Sequence, residues 1–222
     1  MLVSHRCQFI YTKTVKTGGT SVEAFFERYC MAPGEWSASH AREELVSPEG
    51  IIGRRGKIDL ALCRWWNHMP ASMLRQQIGE EFWQRYYKFC VVRNPFEKAV
   101  SAFFFKKRKG AIALDATLSE PEQFEQWLVS DGPMLDQDQY LIDGVFCLDG
   151  VIRHEQMAAD MASTCARLSI PWEPDALPTF KAGIRPREAT VASMYSERAR
   201  SVVEQACAVE LTQFGYEFPR EG

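Results

Sequence analysis

The chain has 222 residues, of which 46% are hydrophobic and 25% charged, and 26 Lys+Arg against 29 Asp+Glu leave a formal net charge of −3. This composition is that of a globular protein with its own core, and it excludes disordered, collagen-like and coiled-coil chains. The balanced charge provides no broad basic surface for nucleic acid, so any bound anion needs a local site.

The first predicted elements form a unit of strand, glycine-containing loop and helix. Gln8–Tyr11 is a short apolar strand, residues 12–20 are a polar loop, and apolar residues from Val22 to Tyr29 recur at helical spacing. Residues 36–56 are turn-rich, and we predict that they form an excursion over the surface.

The later predicted elements repeat the alternation of strand and helix. They are a strand at 60–63, a helix at 70–87, a strand at 89–92, a helix from Pro95, a helix at 121–129, a strand at 145–152, a helix at 157–168 and a long helix at 191–214. This order predicts an α/β fold in which a P-loop-like, mostly parallel sheet is flanked by helices. Since no linker-like segment interrupts the chain, we expect a single domain over residues 1–222.

The cysteines and the apolar runs indicate the compartment. The seven cysteines are scattered without a CxxC pair, which favours reduced core thiols over disulfides or a zinc site. No apolar run approaches the roughly 18 residues of a membrane span, and the N-terminus has no signal-peptide core. We therefore expect a cytoplasmic protein with no metal site and no stable membrane span.

The loop Lys16-Thr17-Gly18-Gly19-Thr20-Ser21 has the chemistry of a phosphate cradle. Glycines allow a close backbone approach, and the start of the next helix offers N–H groups and the positive dipole end. The pattern is not Walker A, because the lysine precedes both glycines. A plain strand-to-helix turn with a solvated lysine remains the alternative.

A second candidate anion motif follows the strand at 89–92. Arg93 stands at the carboxyl end of this strand, where open α/β sheets bind ligands, and Ser101 lies about two turns into the helix that follows. An arginine fork and a hydroxyl suit a terminal phosphate. A structural ion pair is the alternative role for Arg93.

Together, the two motifs resemble the PAPS-dependent sulfotransferases, specifically their carbohydrate (heparan- and chondroitin-type) branch and its bacterial relatives. The loop is similar to the family's PKTGGTS sequence for the 5′-phosphosulfate, and the segment from Arg93 to Ser101 is similar to its element for the 3′-phosphate. Softer similarity covers Gln139-Tyr140-Leu141 and the segment from Gly150 to Glu155. Two departures are Val15 in place of the usual proline, which loosens the loop, and Lys98 in place of a common arginine.

The resemblance implies sulfuryl transfer from PAPS to an acceptor hydroxyl, with adenosine 3′,5′-bisphosphate as the product. Lys16 would act on the departing 5′-phosphate, which the backbone and hydroxyls of residues 17–21 would cradle. The candidate cofactor-binding residues are Lys16, Thr17, Gly18, Gly19, Thr20, Ser21, Arg93, Ser101 and Arg185, with Lys181 as a further late contact.

The resemblance also suggests a general base for the acceptor, which we expect to be a carbohydrate or a small alcohol. Similar family members have a catalytic histidine where this chain has His68, so His68 is the candidate. A structural role for His68 and a carboxylate base, Glu43 or Glu44, remain open. Trp65 and Trp66 are candidates for stacking on a sugar, or belong to the core.

Two other interpretations and one surface feature complete the sequence hypotheses. A P-loop nucleotide kinase or NTPase would use the same strand, loop and helix, and a non-catalytic nucleotide-binding protein would keep the cradle and lack the base. The run Lys106–Lys109 is a candidate for steering a polyanionic acceptor, or is a solvated helix end.

Overall fold

The computed structural model describes residues 1–56, 59, 62–178, 180 and 184–219. The strands in this part of the chain are β1 Leu2–Ser4, β2 Phe9–Tyr11, β3 Leu45–Ser47, β4 Gly50–Ile52, β5 Tyr87–Val92, β6 Leu141–Ile142, β7 Val145–Phe146 and β8 Gly150–Arg153. The α-helices are α1 Gly19–Glu27, α2 Ala71–Ile78, α3 Glu80–Arg85, α4 Pro95–Lys109, α5 Glu120–Asp131, α6 Met157–Arg167, α7 Val191–Met194, α8 Glu197–Ala206 and α9 Ala208–Phe214. The chain groups into two units, one of Met1–Val92 with Asp136–Phe180 and one of Arg93–Leu135 with Lys181–Gly222.

The first unit contains a six-stranded sheet in the order β3-β4-β1-β2-β5-β8. Strands β2, β5 and β8 are parallel, whereas the pairs β1–β2, β1–β4 and β3–β4 are antiparallel. Helix α1 packs on β1 and β5, and α6 packs on β8. The predicted α/β fold with helices around a central sheet is confirmed, and the parallel strands are those that precede the candidate site.

Aromatic packing joins β2, β5 and α1 and so fixes both ends of the loop between β2 and α1. Phe9 and Tyr11 are two residues apart on β2, so their side chains point to the same face of the sheet. The ring of Phe26 lies 5.4 Å from that of Phe9 and 5.0 Å from that of Phe89, measured between centroids. All four side chains are fully buried, and such edge-to-face and tilted contacts are the arrangements that aromatic pairs prefer.

Four predicted segments differ from the structure. Residues 36–49 do lie at the surface, as predicted for 36–56, but the prediction missed β3 and β4, which extend the sheet. The helix predicted at 70–87 is two helices, α2 and α3, which are separated by Gly79 with a φ of 85°. The strand predicted at 145–152 is two strands, β7 and β8, and the helix predicted at 191–214 is three helices. Periodicity alone did not detect these short breaks.

The second unit is helical and has a separate apolar core. Helix α4 packs against α5, α7 and α8, with Phe96, Phe103, Phe124 and Trp127 buried among them. The strand predicted at 60–63 lies partly outside the described residues. None of the helices described here has the length and apolarity needed to cross a bilayer. All seven cysteines are free thiols.

Candidate active site

The loop between β2 and α1 is tied to β5 through its threonines. The Thr12 N–H donates to the carbonyl of Phe89 at 3.1 Å, and the Thr14 hydroxyl donates to the carbonyl of Val91. The hydroxyls of Thr14 and Thr17 are 2.8 Å apart. The loop is therefore fixed at the carboxyl ends of parallel strands, where α/β sheets bind ligands.

Each glycine of this loop has a neighbour that leaves little room for a side chain. Gly18 has a φ of 79°, and a Cβ there would lie 3.1 Å from Nδ1 of His154. A Cβ on Gly19 would lie 2.8 Å from the hydroxyl of Tyr11, which itself donates to the Gly19 carbonyl at 3.1 Å. Packing therefore requires both glycines, in addition to any need for a close approach to an anion.

Lys16 has a left-handed backbone, with a φ of 58°. This conformation is uncommon for a residue with a side chain, and it persists only where the surroundings hold it. Strained residues of this kind cluster at functional sites. The half-buried Lys16 thus lies in a loop that is hydrogen-bonded to β5 through Thr14.

The start of α1 offers N–H groups to an anion, although the Ser21 N–H already donates to the Gly18 carbonyl at 3.0 Å. The first N–H groups of an α-helix have no intrahelical acceptor, and the helix dipole makes this end positive. Thr20 and Ser21 are half-buried in the first turn, and Ser21 Oγ accepts the N–H of Phe180 at 3.4 Å. Thr17 is only 2% exposed and its hydroxyl contacts Thr14. The Thr17 hydroxyl is therefore already engaged within the loop, whereas Thr20 and Ser21 have half-buried hydroxyls in the first turn of α1.

His68 is hydrogen-bonded to the same loop. Its Nδ1 lies 2.9 Å from the carbonyl oxygen of Lys13. Because a carbonyl only accepts hydrogen bonds, Nδ1 carries the proton and Nε2 is the nitrogen with the free lone pair. Burial lowers the pKa of His68, and the charge of Lys13 lowers it further, to about 4. The imidazole is therefore neutral near pH 7 and can accept a proton at Nε2.

A buried network of ion pairs holds the side chain of Lys13, the residue whose carbonyl accepts the hydrogen bond from His68. The Lys13 ammonium lies 2.7 Å from a carboxylate oxygen of Glu23, and Arg55 lies 2.8 Å from the same oxygen. Glu27, one turn further along α1, pairs with Arg55 at 3.2 Å and with Arg42 at 2.9 Å. Burial would raise the pKa of Glu23, but Lys13 and Arg55 hold it well below its usual range. These side chains are ion-paired with one another.

The two alternative carboxylate bases have other partners. Glu43 is exposed and pairs with Arg54 at 3.3 Å. Glu44 accepts the backbone N–H of Arg64 at 3.0 Å. His68, by contrast, is bonded directly to the loop that carries Lys16. Of these three candidate bases, His68 is therefore the one that is hydrogen-bonded to this loop.

In the second unit, Arg93 and Arg185 converge on one carboxylate. Arg93 lies 3.3 Å from Glu97 on the first turn of α4, and Arg185 pairs with the same Glu97 oxygen. Ser101 is half-buried one turn beyond Glu97, on the same face of α4. Arg93, predicted for the 3′-phosphate, and Arg185, predicted as a late cofactor contact, therefore meet at Glu97, with Ser101 one turn further along α4. Lys181 lies outside the described residues.

Four residues of these two clusters were not predicted. Glu97 lies inside the quoted motif, but only the structure shows that it pairs with both arginines. His154 donates from Nδ1 to the Thr17 carbonyl at 3.0 Å. Asp136 accepts the N–H of Val15 at 2.7 Å, and Gln139 donates to the carbonyl of His68 at 3.2 Å. The resemblance covered the segments that contain Gln139 and His154 but gave neither residue a role, and Asp136 lies outside those segments.

The two remaining sequence hypotheses concerned tryptophans and a basic run. Trp65 is 3% exposed and belongs to the core, while Trp66 is half-buried. Within Lys106–Lys109, Lys106 lies 5.3 Å from the centroid of the Trp127 ring, and Lys107 pairs with Glu120 at 2.6 Å. Part of this run therefore stabilises the packing of α4.

Comparison with known proteins identifies the class. The model of a family described as the sulfotransferase family matches residues 1–205. This match includes the loop, His68, and the cluster around Glu97. The chain belongs to the sulfotransferase family, whose general activity is sulfuryl transfer.

Two further comparisons add less. The chain is 29% identical over 110 residues to a protein from Archaeoglobus fulgidus named "Uncharacterized protein", an alignment that spans 48% of this chain and 88% of the relative. No solved structure gives a significant match. The family match therefore carries the assignment of class.

Proposed function

We propose that this protein transfers a sulfuryl group from PAPS to the hydroxyl of an acceptor, with His68 as the general base. The observation that carries this proposal is the bond between His68 and Lys13, because Lys13 belongs to the loop that also holds Lys16. The candidate base is thus hydrogen-bonded to the loop that carries the candidate catalytic lysine. The family match supports sulfuryl transfer as the reaction.

Residues 16–21 suit the 5′-phosphosulfate end of PAPS. The N-terminal N–H groups of α1 and the half-buried Thr20 and Ser21 would hold its phosphate, as helix N-termini hold anions. Lys16 would neutralise the negative charge that develops on the departing phosphate oxygen. PAPS supplies the sulfuryl group.

His68 suits the acceptor side of the reaction. Its Nε2 would take the proton of the acceptor hydroxyl while that oxygen bonds to sulfur and the bond between sulfur and the 5′-phosphate oxygen breaks. The proton then rests on the imidazole, and the charge on the leaving phosphate is met by Lys16. Such in-line transfer depends on positioning and charge stabilisation, which this loop provides.

The arginines of the second unit suit the 3′-phosphate. Arg93 and Arg185 already hold a carboxylate, Glu97, and guanidinium groups bind carboxylates and phosphates with similar geometry. A phosphate dianion would replace Glu97 as their partner, and Ser101 would donate a hydrogen bond to it. This set of residues would select PAPS over nucleotides without a 3′-phosphate.

The proposal extends to the acceptor, the domain organisation and the compartment. A carbohydrate or small alcohol is the proposed acceptor, in keeping with the resemblance to carbohydrate sulfotransferases. The family match covers parts of both units, which supports one sulfotransferase domain over residues 1–222. The free thiols support a reducing compartment, and we place the protein in the cytoplasm.

Binding and product analysis test the proposal. Titration calorimetry should show binding of adenosine 3′,5′-bisphosphate without a metal, and weaker binding of ATP with or without magnesium. Incubation with PAPS and a panel of sugars and alcohols should yield sulfated products in a mass spectrum. Magnesium-dependent ATP binding without bisphosphate binding would instead indicate a nucleotide kinase or NTPase. Bisphosphate binding without any product would indicate a non-catalytic nucleotide-binding protein.

A further inference from the structure

A short 3₁₀ turn, Gln137–Gln139, and the residue before it contact both sides of the proposed site. The Asp136 carboxylate accepts the Val15 N–H at 2.7 Å, next to Lys16. The Gln139 amide donates to the backbone carbonyl of His68 at 3.2 Å. Asp136 and Gln139 are 6% and 7% exposed. Two side chains of one buried turn therefore reach the donor loop and the candidate base.

We propose that Asp136 and Gln139 are positioning residues for sulfuryl transfer, Asp136 for the loop that carries Lys16 and Gln139 for the segment that carries His68. This inference rests on the function proposed above. The two residues set the distance between Lys16 and His68 because they belong to one turn. An error of about 1 Å in such a distance can cost on the order of a hundredfold in rate.

The bond to Asp136 compensates for the valine at position 15. A proline there, as in the family's PKTGGTS sequence, restrains the backbone through its ring but has no N–H. Val15 lacks the ring and has an N–H, which the Asp136 carboxylate accepts in a charge-assisted bond. The expected loosening of the loop by Val15 is therefore offset by a contact that proline could not make.

The bond to Gln139 completes the anchoring of His68. The imidazole is held through Nδ1 by the Lys13 carbonyl, and the backbone of His68 is held through its own carbonyl by Gln139. With ring and backbone both fixed, the direction of the Nε2 lone pair is fixed as well. Gln139 touches neither the donor nor the proton and acts only through His68.

The first test measures the affinity for adenosine 3′,5′-bisphosphate by titration calorimetry. Asp136→Ala should weaken binding about tenfold, the size expected for a charge-assisted hydrogen bond, and Asp136→Asn, which keeps an acceptor oxygen, should weaken it less. Asp149→Ala is the control for loss of a carboxylate that accepts a backbone N–H, because Asp149 accepts that of Lys88 at 2.8 Å at the other end of β5 and also pairs with the Lys88 ammonium at 2.7 Å. Equal losses in Asp136→Ala and Asp149→Ala would overturn the proposal.

A double-mutant cycle tests the specific partner. Val15→Pro removes the N–H and supplies the ring, so Asp136→Ala should cost less than about twofold in a Val15→Pro background. A full tenfold loss in that background would show that Asp136 acts through another contact and would overturn the positioning role. Thermal unfolding of each variant verifies that it is folded.

The Gln139 arm should give a different kinetic pattern. Gln139→Ala should lower kcat by about five- to tenfold and leave bisphosphate affinity unchanged, because misplacing His68 affects the chemical step. Gln123→Ala is the matched control, since Gln123 is also buried and donates to the carbonyl of Asp115 at 2.9 Å. An equal fall in kcat for both variants, or a loss confined to bisphosphate binding, would refute the role of Gln139.

Hydrogen exchange separates this inference from the proposed function. The proposed function would be wrong if the wild-type protein neither bound the bisphosphate nor formed a sulfated product. The restraint of the loop by Asp136, in contrast, can be measured without a ligand. The amides of residues 15–17 should exchange faster in Asp136→Ala than in Asp149→Ala. Equal exchange rates in the two variants would show that Asp136 does not restrain the loop, whether or not the protein transfers sulfuryl groups.

Discussion

The loop around Lys16 and the cluster around Glu97 handle charge in opposite ways. In the first unit, buried cations such as Lys13 pair with the fully buried Glu23. Val15, next to Lys16, is held by Asp136, and His68 is held by the Lys13 carbonyl. In the second unit, two arginines share a carboxylate that is 29% exposed. Solvent screens the charges of a partly exposed ion pair more than those of a buried pair. This difference underlies our proposal that the first region carries out the chemistry and that the second exchanges Glu97 for a phosphate.

The largest expected effect tests the loop as the chemical site. Lys16→Met and His68→Gln should each lower kcat by roughly 10²–10³, the range for loss of a preorganised charge or base. Lys109→Met is the control for lysine removal, since Lys109 is exposed at the end of α4. Turnover within twofold of wild type in either site variant would remove that residue from the mechanism.

The next effect tests the cluster as an exchangeable binding site. Arg93→Ala should weaken adenosine 3′,5′-bisphosphate binding by roughly a hundredfold and leave binding of AMP unchanged, because only the bisphosphate carries the 3′-phosphate. Arg200→Ala is a matched control, since Arg200 forms the same i,i+4 pair, with Glu204 at 2.7 Å. A similar loss of AMP affinity would show that Arg93 acts on the fold or on another part of the nucleotide.

A smaller effect tests the packing that fixes the loop. Gly19→Ala should lower the free energy of unfolding by about 1–3 kcal/mol, because its methyl group would meet the Tyr11 hydroxyl at 2.8 Å. Combining it with Tyr11→Phe, which removes that hydroxyl, should recover part of the loss. Urea unfolding of the four proteins in this cycle measures the recovery. If Gly19→Ala lowers the free energy of unfolding equally with Tyr11 and with Phe at position 11, the steric conflict does not involve the Tyr11 hydroxyl.

The parts of the molecule predicted from sequence were those in which neighbouring residues carry the signal. The strand Phe9–Tyr11, the glycine loop and α1 follow one another directly, so periodicity and loop composition predicted them together. Arg93 and Ser101 were likewise found because one short motif contains both. Helix breaks such as Gly79 and the strand pairs within residues 36–56 depend on tertiary pairing and were missed.

The supporting contacts of the site could not be predicted for the same reason. Asp136 and Gln139 reach the loop and His68 from a segment far along the chain, and neither residue type is unusual there. The pKa of His68 also depends on burial and on Lys13, which no local pattern reveals. The resemblance to a family indicated the histidine, and the structure explains how it is held.

The smallest expected effect concerns pH and distinguishes His68 from an exposed histidine. An imidazole with a pKa of about 4 remains neutral at pH 5.5, so the neutral fraction hardly changes between pH 7.5 and 5.5. An NMR titration of the free protein should show its midpoint near 4, with His68→Gln identifying the signal. A midpoint near the usual 6.5 would mean that burial and Lys13 do not control the base.

The same lowered pKa has a consequence for stability, with a definite sign. Above pH 6.5 the imidazole is neutral in both the folded and the unfolded chain. Between about 6.5 and 4 only the unfolded chain binds the proton, so the free energy of unfolding falls as the pH drops, by at most about 1.4 kcal/mol per pH unit. His68→Gln lacks this proton-binding difference and should lose less stability than wild type between pH 7 and pH 5 in urea unfolding. Equal losses of stability in the two proteins would show that groups other than His68 cause the pH dependence. Burial and Lys13 would then not control the protonation of His68 in the folded protein.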